Sequence, residues 1–340
     1  MSAVLITGAT GFIGSQVALR TLQAGHTIRF VVRREAQTAK LRALFPSYTD
    51  KISFVVIPDI TVSGIFDAAV QGVEYVIHVA SPLFSAGEDL LKPGGAGDRL
   101  CAQVGVEGPE YGSVLREDNK IDFTINKEAL PSQPGSVQYH ASKLASYKAV
   151  LDFQETQNPH FEIITIHPVY VFGRSLVQES ASDLGGTNGM LFQALMTETN
   201  AFGHYLGVHV DDVAVAHVRA LTVKKNEREN VQAYLLSGKK RSWREVYDFV
   251  KEQFPSLPLK LEPVDRSNYE VDASKAEREL GIQFKGMEVQ VSESCGGDHR
   301  TEGDSTKKRL ESSPDTHVGD TITLVLITIK EAVFLTNTAE

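Results

Sequence analysis

Cysteine is scarce in this chain of 340 residues, with Cys101 and Cys295 the only two. Two thiols cannot build a disulfide framework, and the sequence reads as that of a protein kept in a reducing, cytoplasmic compartment. Positive charge is also short. Lys and Arg number 34 against 43 Asp and Glu, a net charge of -9 at pH 7, which argues against a surface that attracts nucleic acid or anionic lipid. Long apolar runs are missing too: the best candidate, Thr321 to Leu335, is cut by Lys330 and Glu331, so no membrane-spanning stretch is expected. The first apolar run begins at Ala3 with no basic segment before it, and no signal peptide is expected. A small molecule is left as the expected partner.

What is present is an ordinary globular share of apolar residues, 42%, enough for one large domain or two modest ones. Val4-Leu5-Ile6-Thr7 reads as a strand, followed at once by Gly8-Ala9-Thr10-Gly11-Phe12-Ile13-Gly14 and helix formers through Ala24. In such a strand–turn–helix unit, Gly8 and Gly11 let the backbone approach a pyrophosphate. Gly14 lets helix and strand pack closely, and the helix start at Phe12 and Ile13 presents N–H groups and a positive dipole end. The glycines alone would equally suit a plain turn.

Thr27 to Val32 reads as a second strand and ends at Arg33-Arg34, with Lys40 further on. An acid at that point would accept from a ribose 2′-OH, whereas arginine suits a 2′-phosphate; a solvated basic turn is the bland alternative. Ile52 to Ile57 gives a third strand closing on Asp59-Ile60, placed to touch an adenine ring, and Val73 to Val79 a fourth. His78 reads as a packed strand-end residue. Strands alternating with helices predict an α/β fold, a doubly wound parallel Rossmann sheet, with a smaller C-terminal substrate lobe.

The next stretch does not fit. Residues 87–112 hold seven glycines and only a brief apolar run at Leu100 to Val106, too broken for the crossover helix and strand that the sheet needs. A helix from about Tyr139 to Gln157 then carries Tyr139 and Lys143 four apart, on one face. Such a pair suits proton transfer, although alone it reads as a surface pair. Phe161 to His167 reads as a buried strand ending in Pro168, and Val169 to Gly173 as a strand-end loop where ligands sit. His209, Asp211 and Asp212 read as a helix cap rather than a metal site. Ser242 to Glu245 carries a capping signature. Beyond Val291 polar residues dominate, so 291–340 is expected to be a disordered tail, with Thr321 to Leu335 a β-prone stretch lacking a partner. The expected division is 1–173 for the dinucleotide domain, with 83–120 atypical, and 174–290 for the lobe.

With the Gly8/Gly11/Gly14 spacing, Arg33, Asp59, Tyr139/Lys143 and His209-Val210-Asp211-Asp212-Val213-Ala214 in order, the chain resembles an extended short-chain dehydrogenase/reductase. It is most similar to the dihydroflavonol reductase and cinnamoyl-CoA reductase group, and within it to fungal ketoreductases of polyketide pigment pathways such as azaphilones. The resemblance spans 1 to about 85 and about 121 to 290. It implies NADP(H) as cofactor, with Arg33 and Lys40 on the adenosine side, Pro168 beside the nicotinamide, and Tyr139 and Lys143 catalytic. It also implies a strand before Tyr139 ending in a substrate-holding serine; here only Ser113 stands in a comparable position, with no apolar run before it. A change of reading frame or splice junction in each anomalous segment would account for both departures. The implied activity is reduction of a ketone or aldehyde of a small secondary metabolite. Rival readings are an NADP-binding relative without turnover, and an NAD-dependent nucleotide-sugar epimerase or dehydratase, which Arg33 disfavours. The substrate pocket is expected from 175–196 and 202–205.

Overall fold

The computed structural model describes residues 2–80, 109–133, 135–180, 183–198, 203–226, 229–295 and 323–326, the last as backbone only. Strand β1 (Ala3–Thr7) alternates its faces as a pleated strand must: Val4 and Ile6 enter one apolar cluster, Leu5 another. Both faces being buried, its run is apolar throughout, the mark of a parallel sheet covered on each side. β2 (Thr27–Val32), β3 (Ile52–Val56) and β4 (Tyr75–His78) follow, then β6 (Glu162–Pro168) and β9 (Gln232–Leu236), after a two-residue β5 (Val114–Leu115) that lies elsewhere. Every pairing in the central sheet is parallel. Helices α1 (Phe12–Gln23) and α2 (Ala36–Leu44) are the first two crossovers, and α3 (Gly135–Gln157) covers the face that holds Leu5, Val76 and Ile163 through Val150 and Phe153. The doubly wound parallel sheet expected from the sequence is therefore the fold.

The strand order is β3-β2-β1-β4-β11-β6-β9, where β11 is Thr323–Leu326. This corrects one expectation: the tail from 291 onward is not all unstructured. A four-residue apolar piece of it pairs with β4 on one side and β6 on the other, and residue 291 itself lies within helix α8 (Met287–Ser294). The remainder of the expected tail lies outside the described residues, as does 81–108.

The lobe is built on helices α4 (Gly186–Met196) and α6 (Trp243–Gln253) and on α8. Its apolar cluster centres on Phe172, Leu191, Leu195, Tyr205, Trp243 and Val246. Helix α6 starts with the expected capping box, the Ser242 hydroxyl accepting from Glu245 N–H at 3.2 Å and Glu245 accepting from Ser242 N–H at 2.8 Å, a device that contributes about 1 kcal/mol. The segment after Pro168 is not only a loop: β7 (Tyr170–Phe172) pairs in parallel with β8 (Gly207–His209). Helix α5 (Val210–Ala220) follows, and β9 then returns to the main sheet. Helix α7 (Ser274–Glu279) comes after β10 (Glu270–Val271). No described helix is long and apolar enough to cross a membrane.

Candidate active site

The glycine turn leaves β1 at Gly8, whose φ of +76° is left-handed and whose added Cβ would lie 2.7 Å from Ala80 N. Only glycine fits there. A Cβ at Gly14 would collide with the Gly8 carbonyl, so helix and turn are in close contact. Gly11 is the N-cap of α1 and no side chain caps that end, which leaves Phe12, Ile13 and Gly14 at the start of an open, positive helix terminus suited to an anion.

Beside the turn, Thr7 Oγ1 lies 2.9 Å from His78 Nδ1 and accepts from Ala80 N–H at 3.2 Å. Burial pushes His78 down to about 4, and the charge of Lys143 adds to the effect. At neutral pH the imidazole is therefore uncharged, with its Nδ1 hydrogen-bonded to the Thr7 hydroxyl. Lys143 on helix α3 is close enough for its charge to act on His78 at the end of β4. Tyr139, one turn earlier on α3, is half-buried, and the Lys143 ammonium sits 5.1 Å from its ring centroid. Lys143 is 3% exposed, so this cation is held in a dry setting where its field is strong. One further turn on, Tyr147 meets His167 edge-on at 5.2 Å. Tyr139, Lys143, the Thr7–His78 pair and Gly8 thus form one assembly on the sheet's carboxyl edge.

The adenosine-side candidates lie at the ends of the neighbouring strands. Arg33 and Arg34 are exposed after β2, their backbone N–H groups both donating to Gln37 Oε1 at 2.9 and 3.1 Å. Lys40 Nζ is 2.8 Å from Glu179 Oε1, a residue of the loop before α4. After β3, Asp59 accepts from the Thr61 amide and hydroxyl at 2.8 and 2.6 Å, and Ile60 packs on the apolar cluster below. Pro168 ends β6, beside Leu236.

Ser113 stands at the start of a separate small sheet. It precedes β5, which pairs with β10 in a separate two-stranded sheet, and its carbonyl accepts from Glu270 N–H at 2.9 Å. The slot where a serine-bearing strand was expected holds β11, whose sequence Thr-Leu-Val-Leu contains no serine. Of the expected pocket residues, Tyr205 is buried, donates to Gln290 at 2.8 Å and stacks on Phe172. Phe202 lies outside the described residues.

Behind the site, His209 does cap its helix, its Nδ1 accepting from Asp211 N–H at 3.1 Å. Its Nε2 lies 3.0 Å from Glu293, whose carboxyl is held below the usual range by that hydrogen bond. Gly173, at φ +127°, leaves room for this ring; an added Cβ would come within 2.8 Å of Nε2. Asp211 and Asp212 are buried and tied to Lys285, whose Nζ is 2.8 and 2.9 Å from them, and Asp211 also takes the Arg20 guanidinium of α1. Burial raises the Asp211 carboxyl, but Arg20 and Lys285 outweigh it and hold it well below the carboxylate range. The sequence pattern suits a cap for His209 and these acids. Their ties to Glu293, Lys285 and Arg20 had no local signal.

Residues 4–97 match the family model described as the NAD dependent epimerase/dehydratase family. Ketoreductase sphI of Aspergillus fumigatus is 32% identical over 320 residues, covering 85% of this chain and 95% of that protein. The chain belongs to this family, the extended short-chain dehydrogenases/reductases. Another member, the NAD-dependent epimerase/dehydratase ALT6 of Alternaria alternata, is 29% identical over 348 residues, covering 86% of this chain and 96% of that one. Among solved structures, Gre2 of Candida albicans in complex with NADPH shares the fold, superposing with a TM-score of 0.72 at 22% identity and covering 86% of this chain and 97% of that one.

Proposed function

We propose that this protein is an NADPH-dependent ketoreductase that reduces a ketone or aldehyde of a small secondary metabolite, in the manner of a polyketide intermediate. The observation that carries the reading is the Lys143 ammonium, buried against Tyr139 and next to the Thr7–His78 pair at the glycine turn. The similarity to a protein named ketoreductase supports it. The residues fit the cofactor: the uncapped start of α1 suits a pyrophosphate, and exposed Arg33 at the end of β2 suits a 2′-phosphate where an acid would reject it.

NADPH, when bound, supplies the hydride. Tyr139 donates its phenolic proton to the carbonyl oxygen of the substrate. Lys143 stabilises the phenolate left behind, because a cation close to a forming anion in a dry setting lowers its cost. Neutral His78 and Thr7 fix the turn from which the cofactor is held. The next strand, β11, carries no serine to orient the carbonyl, and such a donor commonly contributes about 100-fold or more in rate.

That last point supports a second reading, a relative that binds NADP(H) without turnover. One experiment separates them: mix the protein with NADPH, record the cofactor's fluorescence, then add a diketone and follow NADPH absorbance. Binding followed by oxidation supports the reductase. Binding without oxidation over a panel of ketones and aldehydes supports the silent relative.

A further inference from the structure

Two consecutive residues at the end of β7, Gly173 and Arg174, are held by side chains from three other elements. Gly173 N–H donates to Ser294 Oγ of α8 at 2.9 Å and to Asn188 Oδ1 of α4 at 3.3 Å, and its carbonyl accepts from Asn188 Nδ2 at 2.7 Å. Arg174 N–H donates to Glu293 Oε2 of α8 at 3.2 Å, and the same oxygen lies 3.0 Å from Nε2 of His209, at the end of β8. The direction of that second contact follows from the other ring nitrogen. Nδ1 takes the Asp211 amide, which can only donate, so the ring proton sits on Nε2 and is given to Glu293. Gly173 is buried and needs partners for its backbone groups. Arg174 is exposed, and its amide could bond water instead. An acceptor brought there from 119 residues away therefore fixes the path of the chain rather than filling a need for a partner. That path bears on the site, because Gly173 and Arg174 lie shortly past Pro168 at the carboxyl end of β6. Ligands of open α/β sheets bind on this side, and the two residues lead into the stretch 175–196 expected to line the pocket.

We propose that Glu293 and His209 are positioning residues for the carbonyl substrate: by holding the Arg174 amide they set the course of the loop after β7, and through that loop the affinity for the substrate. The inference rests on the ketoreductase reading. The hold runs from the start of α5 through His209 and Glu293 to the loop. Gly173 admits the ring, since a Cβ there would stand 2.8 Å from Nε2. The residues proposed for the pyrophosphate and adenosine lie at the ends of β1 to β3, so losing the hold alters substrate affinity and leaves cofactor affinity nearly as it was.

Three variants of the full-length protein separate this role from plain support of the fold. Asparagine caps helices well but is too short to reach Glu293, so His209→Asn keeps the cap of α5 and breaks the contact. Glu293→Ala removes the acceptor, whereas Glu293→Gln retains one. The first and second are expected to raise KM for a diketone such as diacetyl roughly five- to tenfold, with kcat and NADPH affinity within about twofold. Both should also speed hydrogen–deuterium exchange at the Arg174 amide, and Glu293→Gln should stay near the wild type. An unchanged KM, even with a lowered thermal midpoint, would overturn the proposal, as would unchanged exchange at Arg174. If His209→Asn does not fold, Glu293→Ala decides. A wild type that oxidises no NADPH sinks the ketoreductase reading alone. The affinity of its NADPH complex for the same diketone, read from the fluorescence of Trp243, the chain's single tryptophan, then takes the place of KM.

Discussion

The Lys143 ammonium lies 5.1 Å from the centre of the Tyr139 ring, one helical turn away on α3. Removing the phenolic hydroxyl removes the proposed proton donor and leaves the ring. Tyr139→Phe is expected to lower kcat for carbonyl reduction by at least about 100-fold with NADPH affinity nearly unchanged. Stopped-flow turnover and fluorescence titration measure the two; full activity in the variant would sink the assignment.

Lys40 and Glu179 form an exposed pair at 2.8 Å, so any 2′-phosphate approaching Lys40 competes with Glu179. Pairs of this kind are worth about 0.2–1 kcal/mol. Glu179→Gln should tighten NADPH binding by roughly two- to fivefold and leave NADH unchanged, whereas Lys40→Met should weaken NADPH alone. Parallel titrations with the two cofactors decide it.

Burial lowers His26, His78, His204 and His217, with His78 brought to about 4 and His217 to about 3. Below about 6.5 the unfolded chain takes up protons that these positions refuse. Stability is thus full above that pH and falls as pH drops toward 4, with His78 alone contributing on the order of 3 kcal/mol over the window. Urea unfolding at about pH 7.5 and about pH 5 should show a clear loss, and His217→Leu should make the dependence shallower. A pH-independent midpoint would contradict the buried neutral histidines.

Lys285 ties the two buried acids that open α5. Lys285→Met leaves Asp212 without its cation while Arg20 still serves Asp211, and should cost about 2 kcal/mol of stability. Chemical denaturation reads it, and Asp212→Asn in the same chain should recover part of the loss.

The glycine turn and the strands from Val4 to His78 were legible because local signals agree: apolar runs of strand length, glycines at the turn, helix formers beyond it. Tyr139 and Lys143 were legible by their spacing on one helix. The short β7 was hidden, since Val169 to Phe172 follows a proline and pairs with residues some 35 positions on. Lys40 with Glu179, and His209 with Glu293, join distant loops, and no periodicity announces such meetings. Thr323–Leu326 had the composition of a strand, but its partners Tyr75 to His78 and Glu162 to Thr165 could be found only in three dimensions.

Pairing Thr323 with Tyr75 closes a loop of about 250 residues, and contacts of such separation form slowly. On a ribosome the first four strands emerge early, yet the join between β4 and β6 waits for residues 323–326 to be made. Until then β4 presents an open edge, the template on which chains pair with one another. The yield of active protein should therefore depend on synthesis rate and chaperone supply more than on its final stability.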